Sequence, residues 1–226
     1  MNDFSRLDLH VHSKYSPDSR LTLDMIVGRL AYAELKGFAL TDHNTVRGHA
    51  TLLKLQRQHP EYLLLPGVEV STVEGHLLAY GVGEAPPPHR PILETLDWVR
   101  AHGGEAVPAH PFRRTHGVGR AVAQSAPVSA IETRNGHDSE ITNLRAEKLA
   151  AHRNLGATGG SDAHATKDLG RAYTEFDSAV NSVDDLLESL RKRTTSAEGQ
   201  SLTLPGRLRL GLRTGLLLAR RGFRPI

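Results

Sequence analysis

The chain has 226 residues, of which 38% are hydrophobic and 23% are charged, a composition typical of a globular domain with a hydrophobic core. It excludes an intrinsically disordered protein, and without a run of about 18 uncharged apolar residues we expect neither a membrane span nor a membrane partner. Residues 1–10 carry acids and a histidine where a signal peptide needs an apolar segment, so we expect a cytoplasmic location. The absence of cysteine also excludes disulfides, thiolate catalysis and cysteine-based zinc sites.

Charge is distributed unevenly along the chain. The net charge is +3, but residues 199–226 contain six arginines and no acidic residue. Leucines in this stretch would lie on one side of a helix. We therefore expect residues 200–226 to form a basic helical tail, packed on the rest of a single domain that spans residues 1–226. Basic tails also bind nucleic acid, which leaves that partner open as an alternative.

The predicted elements alternate between strands and helices. Apolar and polar residues alternate in a first strand over residues 6–12, and Thr22 is placed to cap a helix that ends at Gly37. Further strands are predicted over residues 38–41, 62–70, 76–81, 105–110, 128–133, 157–164 and 172–176. Further helices are predicted over residues 91–104, 140–156 and 182–193. Such alternation predicts an α/β fold with parallel strands joined by right-handed crossovers.

Polar side chains fall at the ends of nearly all these strands. His10 and His12 end the first strand, and the pair Asp42 and His43 follows the second. The same position on later strands is held by Glu69, His110, Asp162 and His164. In a closed barrel of parallel strands, the C-terminal strand ends converge on one face, which carries the active site. The sequence therefore predicts a functional site built from these residues.

The residue types predict metal binding. Side chains two apart on a strand share a face, so His10 and His12 can bind one ion, as can Asp162 and His164. Any one of these residues has an ordinary structural alternative, such as a buried histidine or a capping acid. Together the candidate donors number nine: His10, His12, Asp18, His43, Glu69, His76, His110, Asp162 and His164. Nine nitrogen and oxygen donors exceed the needs of one ion and suit two or three ions of manganese, iron or zinc.

Other polar residues receive supporting roles. We expect Asp8 and Asp42 to hold the imidazole tautomers, and Glu132 to support a ligand. The glycines at 159 and 160 are expected to let the backbone turn beside Asp162. The remaining histidines are expected on the surface: His49, His59, His89, His102, His116, His137 and His152.

Six motifs, in order from Asp8 to His164, resemble those of the PHP (polymerase and histidinol phosphatase) family. They are Asp-Leu-His10-Val-His12-Ser, Ser-Pro-Asp18-Ser, Leu-Thr-Asp42-His43-Asn-Thr, Gly-Val-Glu69-Val-Ser, Pro-Ala-His110-Pro and Gly-Ser-Asp162-Ala-His164. The resemblance implies a distorted, TIM-like (β/α)7 barrel with a trinuclear metal centre that hydrolyses phosphoesters. It implies a first ion on His10, His12, Glu69 and Asp162, a second on Glu69, His76 and His110, and a third on Asp18, His43 and His164. Asp18 stands where some family members carry histidine.

The expected function is hydrolysis of a small phosphorylated metabolite or nucleotide by a water that bridges the metal ions. Clustered divalent ions acidify such a water and neutralise the phosphoryl oxygens. We expect Asp162, Glu69 and His43 to be catalytic, and Lys14 and Arg134 to bind the phosphate. Two alternatives remain open: a 5′ exonuclease that uses the basic tail, and a non-catalytic regulatory module. The exonuclease has few aromatic residues, 5% of the chain, on which to stack bases.

Overall fold

A computed structural model describes residues 6–203 and residue 206 of the chain. The predicted basic tail falls mostly on residues 204–226, and apart from residue 206 these lie outside the described part. Within residues 6–203, no helix combines the length and the apolar character needed to cross a bilayer.

Nine strands and six α-helices make up the described chain. The strands are β1 (Arg6–Val11), β2 (Gly37–Leu40), β3 (Leu63–Ser71), β4 (His76–Tyr80), β5 (Glu105–Pro108), β6 (Ala130–Asn135), β7 (Gly156–Gly160), β8 (Ala172–Phe176) and β9 (Thr195–Gly199). The helices are α1 (Leu23–Leu30), α2 (His49–Gln58), α3 (Ile92–Ala101), α4 (Gly119–Ser125), α5 (Glu140–Arg153) and α6 (Val183–Lys192). All eight predicted strands are confirmed, whereas α2, α4 and β9 were not predicted.

Helix α1 begins as predicted but ends early. The Thr22 side chain caps it by accepting a hydrogen bond from the Met25 amide at 3.2 Å. The helix ends at Leu30, and Gly37 begins β2 instead of terminating the helix. A Cβ at position 37 would lie 1.8 Å from the carbonyl oxygen of Leu63, so the glycine allows β2 to lie against β3.

The strands are not all parallel. Seven form one sheet in the order β5-β4-β3-β2-β1-β8-β9, and β6 pairs with β7 in a second sheet. Strands β1, β2 and β3 are parallel, but β4 is antiparallel to both neighbours, and β8 is antiparallel to β1 and β9. The all-parallel prediction is therefore wrong. Only residues 72–75 separate β3 from β4, and so short a connection joins antiparallel strands.

The larger sheet curls, and the smaller sheet bridges its two sides. After β7, the Asp162 amide donates to the His10 carbonyl at 2.8 Å, and the His12 amide donates to the Ala163 carbonyl at 3.1 Å. After β5, the His110 amide donates to Glu132 Oε2 on β6 at 2.6 Å. The α/β class is confirmed, as a curled half-barrel.

Strand β1 is buried on both faces, which places the site. Leu7 and Leu9 pack with buried side chains of α6, and Val11 packs with those of α1. Asp8 and His10 are also fully buried. The register of β1 against β2 shifts between Asp8 and Val11, so the side chains do not alternate regularly along the strand. Apolar packing around β1 thus holds His10 within the buried interior.

Candidate metal centre

The nine predicted donors come together at one end of the sheet. Most lie at or after the C-terminal ends of strands, whereas His76 begins the antiparallel strand β4. Neighbouring imidazole rings lie 4.3–5.8 Å apart between centroids, in a cluster made of His10, His12, His43, His76, His110 and His164. Three acids lie among these rings: Asp18, Glu69 and Asp162. The predicted convergence of the strand ends is confirmed.

Glu69 is the central carboxylate of this cluster. Its Oε1 faces His76 Nδ1 at 2.8 Å and His110 Nε2 at 3.1 Å. Its Oε2 lies 3.1–3.2 Å from three further imidazole nitrogens, those of His10, His12 and His43. Burial alone would raise the pKa of Glu69, but the surrounding imidazoles outweigh it and hold the pKa well below its usual range. A carboxylate between two sets of nitrogens can bridge two cations.

Asp18 organises the second side of the cluster. Its Oδ2 lies 2.9 Å from His164 Nε2 and 3.3 Å from His43 Nε2. Burial raises the pKa of Asp18, but its hydrogen bonds to His164 and His43 prevail and lower it. With His12, these residues form a group of four donors that could hold an ion. Asp18 therefore takes the place expected for it, beside His43 and His164.

Asp162 follows β7 in a strained backbone conformation. Its φ is +56°, in the left-handed region that non-glycine residues rarely adopt, and His110 also has a positive φ, +31°. Asp162 Oδ1 lies 3.3 Å from His12 Nε2 and 3.7 Å from His10 Nε2. Asp162 and His110 are both predicted donors, and strained backbone of this kind can aim a side chain at a site.

Partners at Nδ1 orient three of the imidazoles. His10 Nδ1 is 3.0 Å from Glu132 Oε1, which is the supporting role predicted for Glu132. His12 Nδ1 is 3.2 Å from Ser16 Oγ, and His164 Nδ1 is 2.8 Å from the Asp162 carbonyl. Because an acceptor oxygen faces Nδ1 of His10 and of His164, the neutral forms of these two rings carry the lone pair on Nε2, toward the cluster.

Asp8 and Asp42 do not hold imidazoles, contrary to the prediction. Asp8 accepts backbone N–H bonds from His10, Ser161 and Gly170, at 2.8–3.3 Å. Burial raises the pKa of Asp8 to about 6 although these bonds lower it. Asp42 accepts from the amide and hydroxyl of Ser13, at 2.6 and 2.7 Å. Both acids brace the backbone that carries the donors.

The donors fit divalent cations, because several of their polar atoms face one another with no aligned hydrogen bond between them. Among the described residues, four buried atoms of the cluster lack a hydrogen-bond partner: Asp18 Oδ1, His43 Nδ1, Glu69 Oε2 and His110 Nδ1. The Nε2 atoms of His10 and His12 lie 3.1 Å apart, a contact between two lone pairs unless a cation or a proton lies between them. Nitrogen and carboxylate donors so placed suit manganese, iron or zinc.

His137 was predicted on the surface but is buried beside the cluster. Its ring nitrogens lie 3.9 Å from Asp162 Oδ2 and 3.7 Å from Asp168 Oδ2. Burial lowers the pKa of His137 although Asp168 and Asp162 raise it. His116, also predicted on the surface, is exposed but stacks on the ring of His76 at 4.8 Å. Both lie in connecting segments, where no periodic pattern predicts burial.

Arg134, predicted to bind phosphate, points away from the cluster. Its guanidinium pairs with Glu140 and Glu147 of α5. A shift in strand register between Glu132 and Arg134 breaks the alternation of side chains, so these two residues do not share a face. Lys14 is exposed, next to the ring of Tyr15. Another arginine, Arg113, donates a 2.9 Å hydrogen bond to Asp162 Oδ2, a contact that no sequence pattern indicated.

A curled α/β sheet with a histidine and carboxylate cluster at its strand ends defines a class of metal-binding proteins. Residues 140–195 match a PHP-associated family model. An uncharacterised protein of Methanocaldococcus jannaschii is 32% identical over 120 residues, covering 47% of this chain and 68% of the relative. Given these matches and the ordered motifs, the chain belongs to the PHP family.

Solved structures share the fold. One is a two-domain protein from Bacteroides vulgatus containing a predicted PHP-like metal-dependent phosphoesterase, with a TM-score of 0.70, 22% identity, and coverage of 91% of this chain and 68% of that one. Another is the lesion-specific endonuclease Q from Pyrococcus furiosus, with a TM-score of 0.65 and 17% identity. The match covers 84% of this chain and 56% of the endonuclease. At these identities the likeness concerns the fold.

Proposed function

We propose that this chain is a metal-dependent phosphoesterase that hydrolyses a small phosphorylated metabolite or a nucleotide. The observation that carries the proposal is the position of Glu69, whose two oxygens face five imidazole nitrogens on opposite sides. A shared carboxylate between two donor sets suits neighbouring divalent ions, and neighbouring ions suit phosphoryl transfer. The similarity to a PHP-like phosphoesterase supports the same reaction class.

The chain's own residues supply the framework for this chemistry. His10, His12 and Asp162 would share one ion with Glu69, while His76 and His110 would complete a second. Asp18, His43 and His164 would hold a third, on the distorted barrel expected of the family. Bound divalent ions of manganese, iron or zinc supply an acidified water nucleophile and neutralise charge on the phosphoryl oxygens. Lys14 remains a candidate for contacting the substrate phosphate.

Phosphate release from an aryl phosphate tests this proposal. We expect the purified protein to hydrolyse the substrate when supplied with Mn²⁺, Zn²⁺ or Fe²⁺, and to lose the activity with a chelator. Glu69→Gln should lower the rate by at least about two orders of magnitude, because an amide cannot bridge two ions. Glu61→Gln, at an exposed position, serves as the matched control.

Metal analysis of the same samples separates the alternatives. Protein that holds metal but turns over no mono- or diester would exclude the phosphoesterase. Less than one equivalent of metal bound in excess metal would favour the non-catalytic module. Either result can be obtained from one preparation.

A nuclease is a second candidate, favoured by the likeness to endonuclease Q and by the arginines of residues 199–226. A 5′ exonuclease would release nucleotides from a short 5′-labelled oligonucleotide faster than phosphate from the aryl ester. Truncation after Gln200 should then weaken oligonucleotide binding and flatten its salt dependence. Equal binding by both chains would exclude this role of the tail.

A further inference from the structure

Arg113 lies beside the cluster, in the segment between β5 and α4, and makes three side-chain hydrogen bonds. Nε donates to Asp138 Oδ1 at 2.6 Å, Nη1 to Asp162 Oδ2 at 2.9 Å, and Nη2 to Asn135 Oδ1 at 2.7 Å. Only 23% of the side chain is exposed. One guanidinium therefore connects the end of β6, the segment before α5 and the residue that follows β7.

The geometry of this contact depends on the guanidinium. Its donors lie in one plane and form a fork that can satisfy acceptors in several fixed directions. A lysine ammonium at the same place is a point charge on a flexible stem and cannot hold three acceptors in register. The three partners of Arg113 are themselves buried, at 1–5% exposure, so the arrangement is shielded from competing water.

The first consequence concerns the two oxygens of Asp162. Arg113 and, at 3.4 Å, the Asn135 amide nitrogen bind Oδ2, while Oδ1 is the oxygen that faces His12. Arg113 thus occupies one oxygen and leaves the other for a cation. It also holds a side chain whose backbone is in a strained conformation.

The second consequence reaches His10 through Asn135. The Asn135 Nδ2 donates to Glu132 Oε2 at 3.0 Å, and Glu132 Oε1 lies 3.0 Å from His10 Nδ1. Glu132 Oε2 also accepts the His110 amide at 2.6 Å. The chain of contacts from Arg113 therefore reaches all members of one candidate metal group, which consists of His10, His110 and Asp162.

The group on the other side of the cluster is held differently. Asp18 bonds to His43 and His164 directly, and Ser16 bonds to the His43 amide at 2.9 Å. Arg113 reaches this group only through Asp162, whose carbonyl oxygen lies 2.8 Å and whose Oδ1 lies 3.6 Å from His164 Nδ1. Changes at Arg113 should therefore affect one part of the centre more than the other.

We infer that Arg113 is a positioning residue that fixes Asp162 and His10 for one ion of the centre, while the ion near Asp18 depends on it less. The inference rests on the proposed function only in requiring a metal centre, and it does not require hydrolysis. It differs from a substrate role, in which Arg113 would bind the phosphate and leave metal affinity unchanged.

The test is a titration of the metal-free protein with Mn²⁺ alone, in which electron paramagnetic resonance measures free Mn²⁺. For Arg113→Met we expect one class of site to weaken by about 10- to 100-fold, the usual effect of losing a residue that orients a ligand, with a smaller loss at the other sites. Arg113→Lys should recover only part of the loss. Arg134→Met removes an arginine that also pairs with two carboxylates, outside the cluster, and should bind Mn²⁺ like the wild type.

Asp138→Asn keeps the test decisive if Arg113→Met fails to fold. Asp138 accepts a hydrogen bond from Arg113 Nε at 2.6 Å and is not one of the nine candidate donors. Its replacement should therefore weaken the same class of site by a smaller factor. Unchanged Mn²⁺ affinity in Arg113→Lys and Asp138→Asn, or an equal loss at every site, would overturn the inference. A wild type that binds Mn²⁺ but hydrolyses no phosphoester would reject the proposed function and leave this result standing.

Discussion

Asp162 combines several of the constraints that act on single residues of the site. It is 4% exposed, has a left-handed backbone, and divides its oxygens between imidazoles and Arg113. Burial raises the pKa of Asp162, but His10 and Arg113 outweigh it and keep the pKa well below its usual range. The carboxylate is thus held ionised, the form that binds a cation.

Replacement of Asp162 by Asn should separate a metal ligand from a turn-capping acid. Asp162→Asn keeps the shape but removes the charge, so we expect kcat/KM to fall by about two to three orders of magnitude and thermal stability to change only modestly. Asp177→Asn, at an exposed position after β8, is the control for the chemical change. Wild-type turnover with full metal content would remove Asp162 from the site, and a large loss of stability with normal specific activity would assign it to the turn.

At the scale of the strands, the close approach of β7 to β1 and β8 shapes the site. A Cβ at position 160 would lie 2.3 Å from the His10 Cβ, and one at 159 would lie 2.3 Å from the Tyr173 carbonyl oxygen. The two glycines lie within β7 and allow it to approach β1 and β8, rather than making the turn that the sequence suggested. Position 160 therefore controls the distance between His10 and the residues after β7.

A methyl group at position 160 should open this contact. For Gly160→Ala we expect a loss of about 1–3 kcal/mol in the free energy of unfolding, because overpacking forces β1 and β7 apart. Mn²⁺ affinity should fall as well, since His10 would move relative to Asp162. Gly28→Ala in helix α1 is the control, because nothing lies within 4 Å of its added Cβ, and it should raise stability by up to about 1 kcal/mol. Denaturant unfolding measures both variants, and an unaffected Gly160→Ala would contradict the close approach.

At the scale of the whole described chain, the candidate metal donors lie together at one end of a curled sheet, separate from its apolar clusters. Three buried apolar clusters pack the sheet and helices, while the metal donors are buried at the strand ends. Buried donors without partners make the metal-free protein less stable than its packing would allow. Metal binding should relieve this cost across the fold.

Metal should therefore stabilise the folded chain as a ligand that binds only the native state. At a free Mn²⁺ concentration of about 100 times the dissociation constant, one site adds about 2.7 kcal/mol to the free energy of unfolding. We expect the melting temperature to rise with Mn²⁺ and to fall again with a chelator. Glu69→Gln should reduce the rise, while Glu61→Gln should match the wild type. A melting temperature independent of metal would contradict a metal centre in this cluster.

The sequence by itself identified the candidate donors and predicted that they come together. Their place at or just after strand ends predicts convergence, because an α/β fold brings those ends to one edge. These are properties of spacing along the chain, so a single sequence displays them.

Only the tertiary structure decided which cationic side chains and which supporting residues reach the site. Arg113 and His137 lie in connecting segments, which have no periodicity, and they contact Asp162 only because distant strands come together. The sequence placed Arg134 at the site, but a register shift in β6 puts its side chain on the other side of the strand. The antiparallel β4 and β8 were missed for a similar reason, since an apolar run predicts a strand but not the direction of its neighbour. Contacts between residues far apart in sequence depend on the path of the backbone, which local pattern does not specify.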